Sequence, residues 1–173
     1  MFTLISFVAL AFSLASCAVA DFIPEGAGAH FFTEEQNFGL VFGPEGGSAG
    51  PGVRLVMVEP GDGTFNDQTV FFPSFGSGVS GPLVVQDFCI SSAGVEVDSA
   101  TDALRFAECS PDQSDPSQIW FVDPNPHQPT ISDANSNCFT LFQAELGAPV
   151  TLATCEGELL GVQEWDPVVV PLP

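Results

Sequence analysis

The chain has 173 residues, of which 22 are Asp or Glu and only Arg54 and Arg105 are Lys or Arg, for a formal charge of −20. Phosphate backbones and anionic lipid headgroups are bound by Lys and Arg, so this balance excludes nucleic acid and anionic membrane surfaces as partners. The acids are scattered rather than blocked, which describes a solvated, self-repelling surface that keeps a protein soluble.

Residues 1–20, MFTLISFVALAFSLASCAVA, are apolar and end in the A-x-A pattern of Ala18-Val19-Ala20. They read as a secretory signal peptide, with residues 21–173 as a single secreted, extracellular domain. The leader has no Lys or Arg ahead of its apolar run, a departure from the usual pattern. Leu14-Ala15-Ser16-Cys17 offers a second reading, lipid attachment at Cys17. The apolar run sits at the lower length limit for a span and no second one follows, so no membrane span is expected. The remaining chain is long enough to bury roughly 70% of its unfolded surface in one core. No Asn-x-Ser/Thr sequon is present.

Short alternating segments then follow one another. In order they are HFFT, FGLVF, VRLVMV, TVFFP, LVVQ, FCISS, ALRFAE, IWFVD, TISD, CFTLF, PVTLAT and WDPVVVP. Gly, Pro, Asn and Asp punctuate the gaps. No segment carries a 3.6-residue apolar period over three turns. The expectation is an all-β protein of about twelve short strands, closed as a barrel or sandwich.

The strands repeat as a set. Gln118-Ile119-Trp120 begins nine residues after Cys109, and Gln163-Glu164-Trp165 begins eight after Cys155. Each of these cysteines ends an alternating run, through Leu104 and Phe106 in one and Val150 and Leu152 in the other. A weaker copy precedes them: Leu55 and Met57 alternate, and Gln68 follows Pro60 by eight residues. Gln68 to Cys89 is 21 residues and Gln118 to Cys138 is 20. In this first copy Phe38 and Pro60 align with the cysteines and Val70 with the tryptophan. Units of this length mean one supersecondary unit used three times. The lobes are roughly 29–80, 81–130 and 131–173. Four cysteines, Cys89, Cys109, Cys138 and Cys155, remain beyond the leader. An even number in an exported chain implies disulfides, and composition alone leaves three pairings open.

With its Q-x-W units, and above all CFTLFQAELGAPVTLATCEGELLGVQEW at 138–165, the chain resembles the ricin B-type (Q-x-W) lectin-like β-trefoil family. The resemblance covers 30–173 and is fullest in the second and third lobes. It implies a β-trefoil of three pseudo-repeats, with Gln68, Gln118, Gln163, Trp120 and Trp165 as structural motif residues. It also implies pairing within lobes, Cys89 with Cys109 and Cys138 with Cys155. Burial is in any case the default for a tryptophan.

Sugar-binding lobes of that family resemble one another in an Asp two residues after the first cysteine and an aromatic two residues before the second. Here the Asp position aligns with Leu40, Ser91 and Thr140, and the aromatic position with Val58, Ala107 and Ala153. A hydroxyl is a weaker acceptor than a carboxylate, and Ala offers no ring. The expected sugar contacts are therefore hydrogen bonds from Thr140 and Ser91, with stacking supplied by Phe142. The chain reads as a secreted carbohydrate-binding module with degenerate sites. The alternative is a loop-based protein-interaction module, such as a protease inhibitor or an effector-like secreted protein.

Other chemistry is sparse. There is no G-x-S-x-G and no H-E-x-x-H, and His30 and His127 lie in different lobes. SDANSN at 132–137 and PGDGTFND at 60–67 put oxygens on loops, but neither follows the EF-hand pattern, and solvated turns are expected. No enzymatic activity, cofactor or metal is expected.

Overall fold

A computed structural model describes residues 27–33, 39–61, 70–71, 80–123, 130–155 and 163–170. The leader, Phe38, Gln68, His127 and most of the 60–67 loop lie outside them.

Lobe one contributes β1 (Gly28–Thr33), β2 (Val41–Pro44), β3 (Leu55–Val58) and β4 (Val70–Phe71). Lobe two contributes β5 (Ser80–Gly81), β6 (Val84–Val85), β7 (Phe88–Ser91), β8 (Arg105–Glu108) and β9 (Trp120–Val122). Lobe three contributes β10 (Ile131–Ser132), β11 (Asn137–Thr140), β12 (Thr151–Thr154) and β13 (Trp165–Val170). One strand of lobe two is divided around Pro82, a residue with no N–H to give to a ladder. Its first half, β5, pairs with β9, and its second half, β6, pairs with β4 and β7.

Each lobe carries one antiparallel hairpin: β2–β3, β7–β8 and β11–β12. The first strand of each lobe lies against the last strand of the lobe before it, as β6 does on β4 and β10 on β9. Between lobes three and one this pairing is β13 on β1, from Gly28↔Val170 to Thr33↔Trp165, which joins the first and last of the described strands.

Hairpin register fixes which residues are equivalent. Cys89 pairs with Ala107, Cys138 with Ala153 and Val41 with Val58. Val41 therefore occupies the first-cysteine place in lobe one, three residues beyond the aligned Phe38, and Gly43 rather than Leu40 stands two residues after it. The alignment slipped because lobe one has no cysteine to mark its origin. Pro60 and Val58 keep their assigned places. The equivalence is visible in a ring of backbone hydrogen bonds. Leu55 N–H donates to Leu104 O (2.8 Å), Leu104 N–H to Val150 O (2.9 Å) and Val150 N–H to Leu55 O (3.0 Å). Three non-local bonds thus tie the hairpins into one cap with no buried backbone group left over at that ring.

The core fills in the same threefold order. Leu55, Leu104 and Val150 form one layer, and Met57, Phe106 and Leu152 the next. Val70, Trp120 and Trp165 open β4, β9 and β13, and all three side chains are fully buried. The Trp120 indole N–H donates to Ile90 O (2.9 Å) and that of Trp165 to Phe139 O (3.2 Å), each acceptor being the residue after a first cysteine. Phe42 stacks on Phe31 at 5.2 Å and meets Trp165 edge-on at 5.2 Å, while Phe139 meets Trp120 at 4.6 Å. The disulfides are Cys89–Cys109 and Cys138–Cys155, within lobes two and three.

Candidate functional site

The motif glutamines hold turns. Gln118 closes a 3-10 turn over Pro116–Gln118; its Oε1 accepts the Ser110 N–H (2.8 Å) and its Nε2 donates to Glu108 O (2.9 Å). It thereby spans the backbone on both sides of Cys109 and delivers Trp120 into the core. Gln163 is buried and donates through Nε2 to Thr154 O (3.2 Å) and to Thr140 Oγ1 (2.9 Å). Its Oε1 is buried with no partner among the described residues, and Glu156, the counterpart of Ser110, lies outside them.

These bonds correct the expectation for Thr140 and Ser91. Thr140 is fully buried; its hydroxyl donates to Cys138 O (2.9 Å) and accepts from Gln163, and its carbonyl accepts the Thr151 hydroxyl (3.2 Å). Ser91 is buried too, bonded to the Ser117 hydroxyl (3.0 Å) and to the Ala93 N–H (3.1 Å). Both hydroxyls are spent on the fold. The partners differ by lobe: the Gln163 amide holds the Thr140 hydroxyl inside, while the Ser117 hydroxyl and the Ala93 N–H hold that of Ser91.

Phe142 behaves differently. It follows β11 on the loop of the third hairpin, and 40% of its surface is exposed. It lines a pocket of about 160 Å³ with Gln143 and Pro149 from its own loop and Ala100 and Thr101 from the β7–β8 loop of lobe two. The pocket is thus shared between two lobes. Thr101 and Gln143, among its lining residues, carry a hydroxyl and an amide, donors and acceptors without formal charge. Sequence reasoning found Phe142 but not its lobe-two partners Ala100 and Thr101, which stand some 40 positions away and are joined to it only by the threefold arrangement.

The lobe-two wall is built by two aspartates. Asp98 takes a left-handed backbone (φ 63°), donates its N–H to Leu152 O (2.8 Å) and accepts the Thr154 N–H at Oδ1 (3.1 Å). The loop is thereby pinned to β12 of lobe three. Asp102 accepts the Glu96 N–H (2.8 Å) and the Arg105 guanidinium (2.8 Å). Arg54 and Arg105 are antiparallel bridge partners, and Arg54 in turn reaches Glu45 at 3.5 Å.

A larger pocket of about 250 Å³ lies over the lobe-two disulfide, framed by Pro82 and Pro111. It has no aromatic ring among its lining residues, and its Gln118 amide is already engaged. Asp133, in the SDANSN loop, turns its carboxylate onto the N–H groups of Asn135 and Asn137 and the Asn137 amide, forming a closed turn. Among the described residues no three His, Cys, Asp or Glu side chains converge as a metal site. His30 is buried on β1 with its ring edge-on to Phe32.

Two carboxylates give the acidic surface a pH signature. The Glu96 backbone N–H, and then Arg105, hold Asp102 below its ordinary value of 3.8; the Ser114 and Ser110 hydroxyls do the same for Asp112. A lowered folded value contributes stability above the unfolded one, which is lost as pH falls through the folded value. Self-repulsion acts the other way, and salt screens it. Between about 10 mM and 150 mM salt the screening length falls from ~30 Å to ~8 Å, so the melting temperature at pH 8 should rise. In acid it should climb as the net charge falls, while the contribution of Asp102 and Asp112 is lost as the pH drops through their lowered values. A melting temperature indifferent to salt would show that the charges are spaced too widely to repel.

No protein-family model matches the chain, and no curated protein matches it in sequence. Solved structures do. A designed threefold-symmetric protein, ThreeFoil, superposes with a TM-score of 0.66 at 16% identity, over 84% of this chain and 99% of that one. The C-terminal half of an earthworm R-type lectin, solved with GalNAc, gives 0.59 at 17%, over 83% and 98%. A Polyporus squamosus lectin, solved with a sialylated influenza-binding epitope, gives 0.59 at 12%, over 83% of this chain and 49% of that one. At such identities the likeness is one of backbone. Together with the cyclic hairpin bonds, the buried tryptophans and the two disulfides, it establishes that this chain has the β-trefoil fold of the ricin B-type lectins.

Proposed function

We propose that the protein is a secreted, non-enzymatic carbohydrate-binding module whose working site is the Phe142 pocket between lobes two and three. The exposed Phe142 ring beside Thr101 and Gln143 is the observation that carries this reading. A sugar presents an apolar C–H face and a rim of hydroxyls, and a ring flanked by neutral hydrogen-bonding groups fits both. The two disulfides agree with an oxidising, extracellular setting. No described helix is long and apolar enough to cross a membrane. The places equivalent to the usual sugar-binding Asp and aromatic are held by buried hydroxyls, by Gly43 and by small apolar side chains, which supports a displaced site.

A glycan array followed by calorimetric titration tests this. Phe142→Ala should weaken binding about tenfold, the scale of one aromatic contact. Thr140→Ala should leave affinity unchanged and lower the melting temperature, because its hydroxyl works inside the fold. If no glycan binds at millimolar concentration, the reading fails. The loop-based protein-interaction reading then leads, favoured by Leu146, 62% exposed, and Val97 on the same two loops.

A further inference from the structure

The Phe142 pocket is uncharged in a chain that is strongly charged. Its lining residues, Ala100, Thr101, Phe142, Gln143 and Pro149, include no carboxylate and no cation. Asp98 and Asp102, which flank Ala100 and Thr101 in sequence, are turned elsewhere. Asp98 accepts the Thr154 N–H, and Asp102 accepts the Glu96 N–H and the Arg105 guanidinium. Acids therefore act on a ligand in this pocket through the field of the whole chain, formal charge −20, and not by contact. No cation stands ready to receive an anion either. The chain has no Lys, and its two arginines are engaged, Arg54 with Glu45 and Arg105 with Asp102.

From this we infer that the site takes neutral sugars and rejects acidic ones, whether the acid is a sialic acid, a uronic acid or a sulfate ester. The inference rests on the carbohydrate reading of the pocket. A neutral ring gains its stacking and hydrogen bonds there, and the net charge of the chain exerts no force on it. An acidic ring of the same shape makes the same contacts. It also enters a repulsive potential that reaches several kT at low salt, and it finds no free guanidinium or ammonium to offset that repulsion. The pocket, at about 160 Å³, is smaller than the roughly 300–1,000 Å³ of sites that enclose drug-sized ligands, so it encloses a single sugar ring. The rest of an oligomer stays in solvent, where the field still acts on any acid it carries. The discrimination is therefore long-range, and salt weakens it.

The experiment prints each neutral glycan core on an array beside its uronic acid form and the methyl ester of that acid, which keeps the shape and removes the charge. Binding is read at pH 7 in about 10 mM and 150 mM salt, and the cores whose esters bind are titrated by calorimetry. Neutral core and ester should bind with affinities that change less than about twofold between the two salts. The acid should bind about tenfold more weakly than its ester at low salt, with the gap narrowing as the screening length falls from ~30 Å to ~8 Å. Phe142→Ala should weaken core and ester alike, and its melting curve verifies that it is folded. An acid bound as tightly as its ester at low salt would overturn the inference and leave the carbohydrate reading standing. An acid–ester gap that salt does not change would overturn it too, since the repulsion would then come from a contact inside the site. Neutral cores bound while every ester is refused would overturn it in favour of selection by shape. No binding of any glycan in either salt would overturn both.

Discussion

Trp165→Ala is expected to cost about 3–5 kcal/mol of unfolding free energy, enough to remove a large share of a small domain's stability. The side chain opens β13 and is fully buried, and Phe42 packs edge-on against it. Truncation leaves a cavity and also strips Phe139 O of its indole donor. Trp165→Phe separates the two effects. It keeps most of the volume and loses the bond, so it should cost about 1–3 kcal/mol, the penalty for an unsatisfied buried carbonyl. Urea unfolding followed by fluorescence measures both variants, and Trp120→Ala should parallel Trp165→Ala. A nearly neutral Trp165→Ala would mean that the lobe does not need its wedge.

The second large effect concerns the disulfides. Cys138–Cys155 closes a separation of 17 residues and Cys89–Cys109 one of 20. Each links a hairpin strand to the segment just beyond its partner strand. Replacing one pair by serine should cost about 2–5 kcal/mol, and replacing both should leave lobes two and three with only non-covalent ties. Thermal melts of the two double variants and the quadruple variant give the values. Peptide mapping without reduction should recover 89–109 and 138–155. A fragment joining Cys109 to Cys138 would break the lobe assignment.

The two tests probe different links between sequence and fold. The tryptophan and cysteine positions were legible because they are large or reactive residues repeated at nearly constant spacing. Lobe one was legible only in outline. With no cysteine to mark its start, it was aligned three residues early, and only the pairing of Val41 with Val58 placed it. The division of one lobe-two strand at Pro82 was likewise visible only once its halves were seen to pair with different strands.

The site was less legible than the fold. Thr140 and Ser91 occupy the expected positions in the chain, yet their hydroxyls face Gln163 and Ser117. Spacing fixes where a residue falls in a strand; whether its hydroxyl meets solvent depends on which partner can reach it. Phe142 was found because it is an aromatic on a polar loop. Its pocket was not, because Ala100, Thr101 and Pro149 have no distinctive chemistry of their own.

By itself, the sequence determined the all-β class, the threefold repeat, the tryptophan wedges and the strong negative charge. These follow from residue type and from periodicity within a few positions of the chain. The within-lobe disulfide pairs implied by the resemblance are those the structure shows, while only the tertiary structure decided the true start of lobe one. It also decided the inward turn of Thr140 and the meeting of the two loops around Phe142. Each of these depends on contacts between distant segments, above all the Leu55–Leu104–Val150 ring and the Asp98 anchor on β12. Such contacts form only when the three lobes close on one another, and no local pattern encodes which loop will then stand beside which.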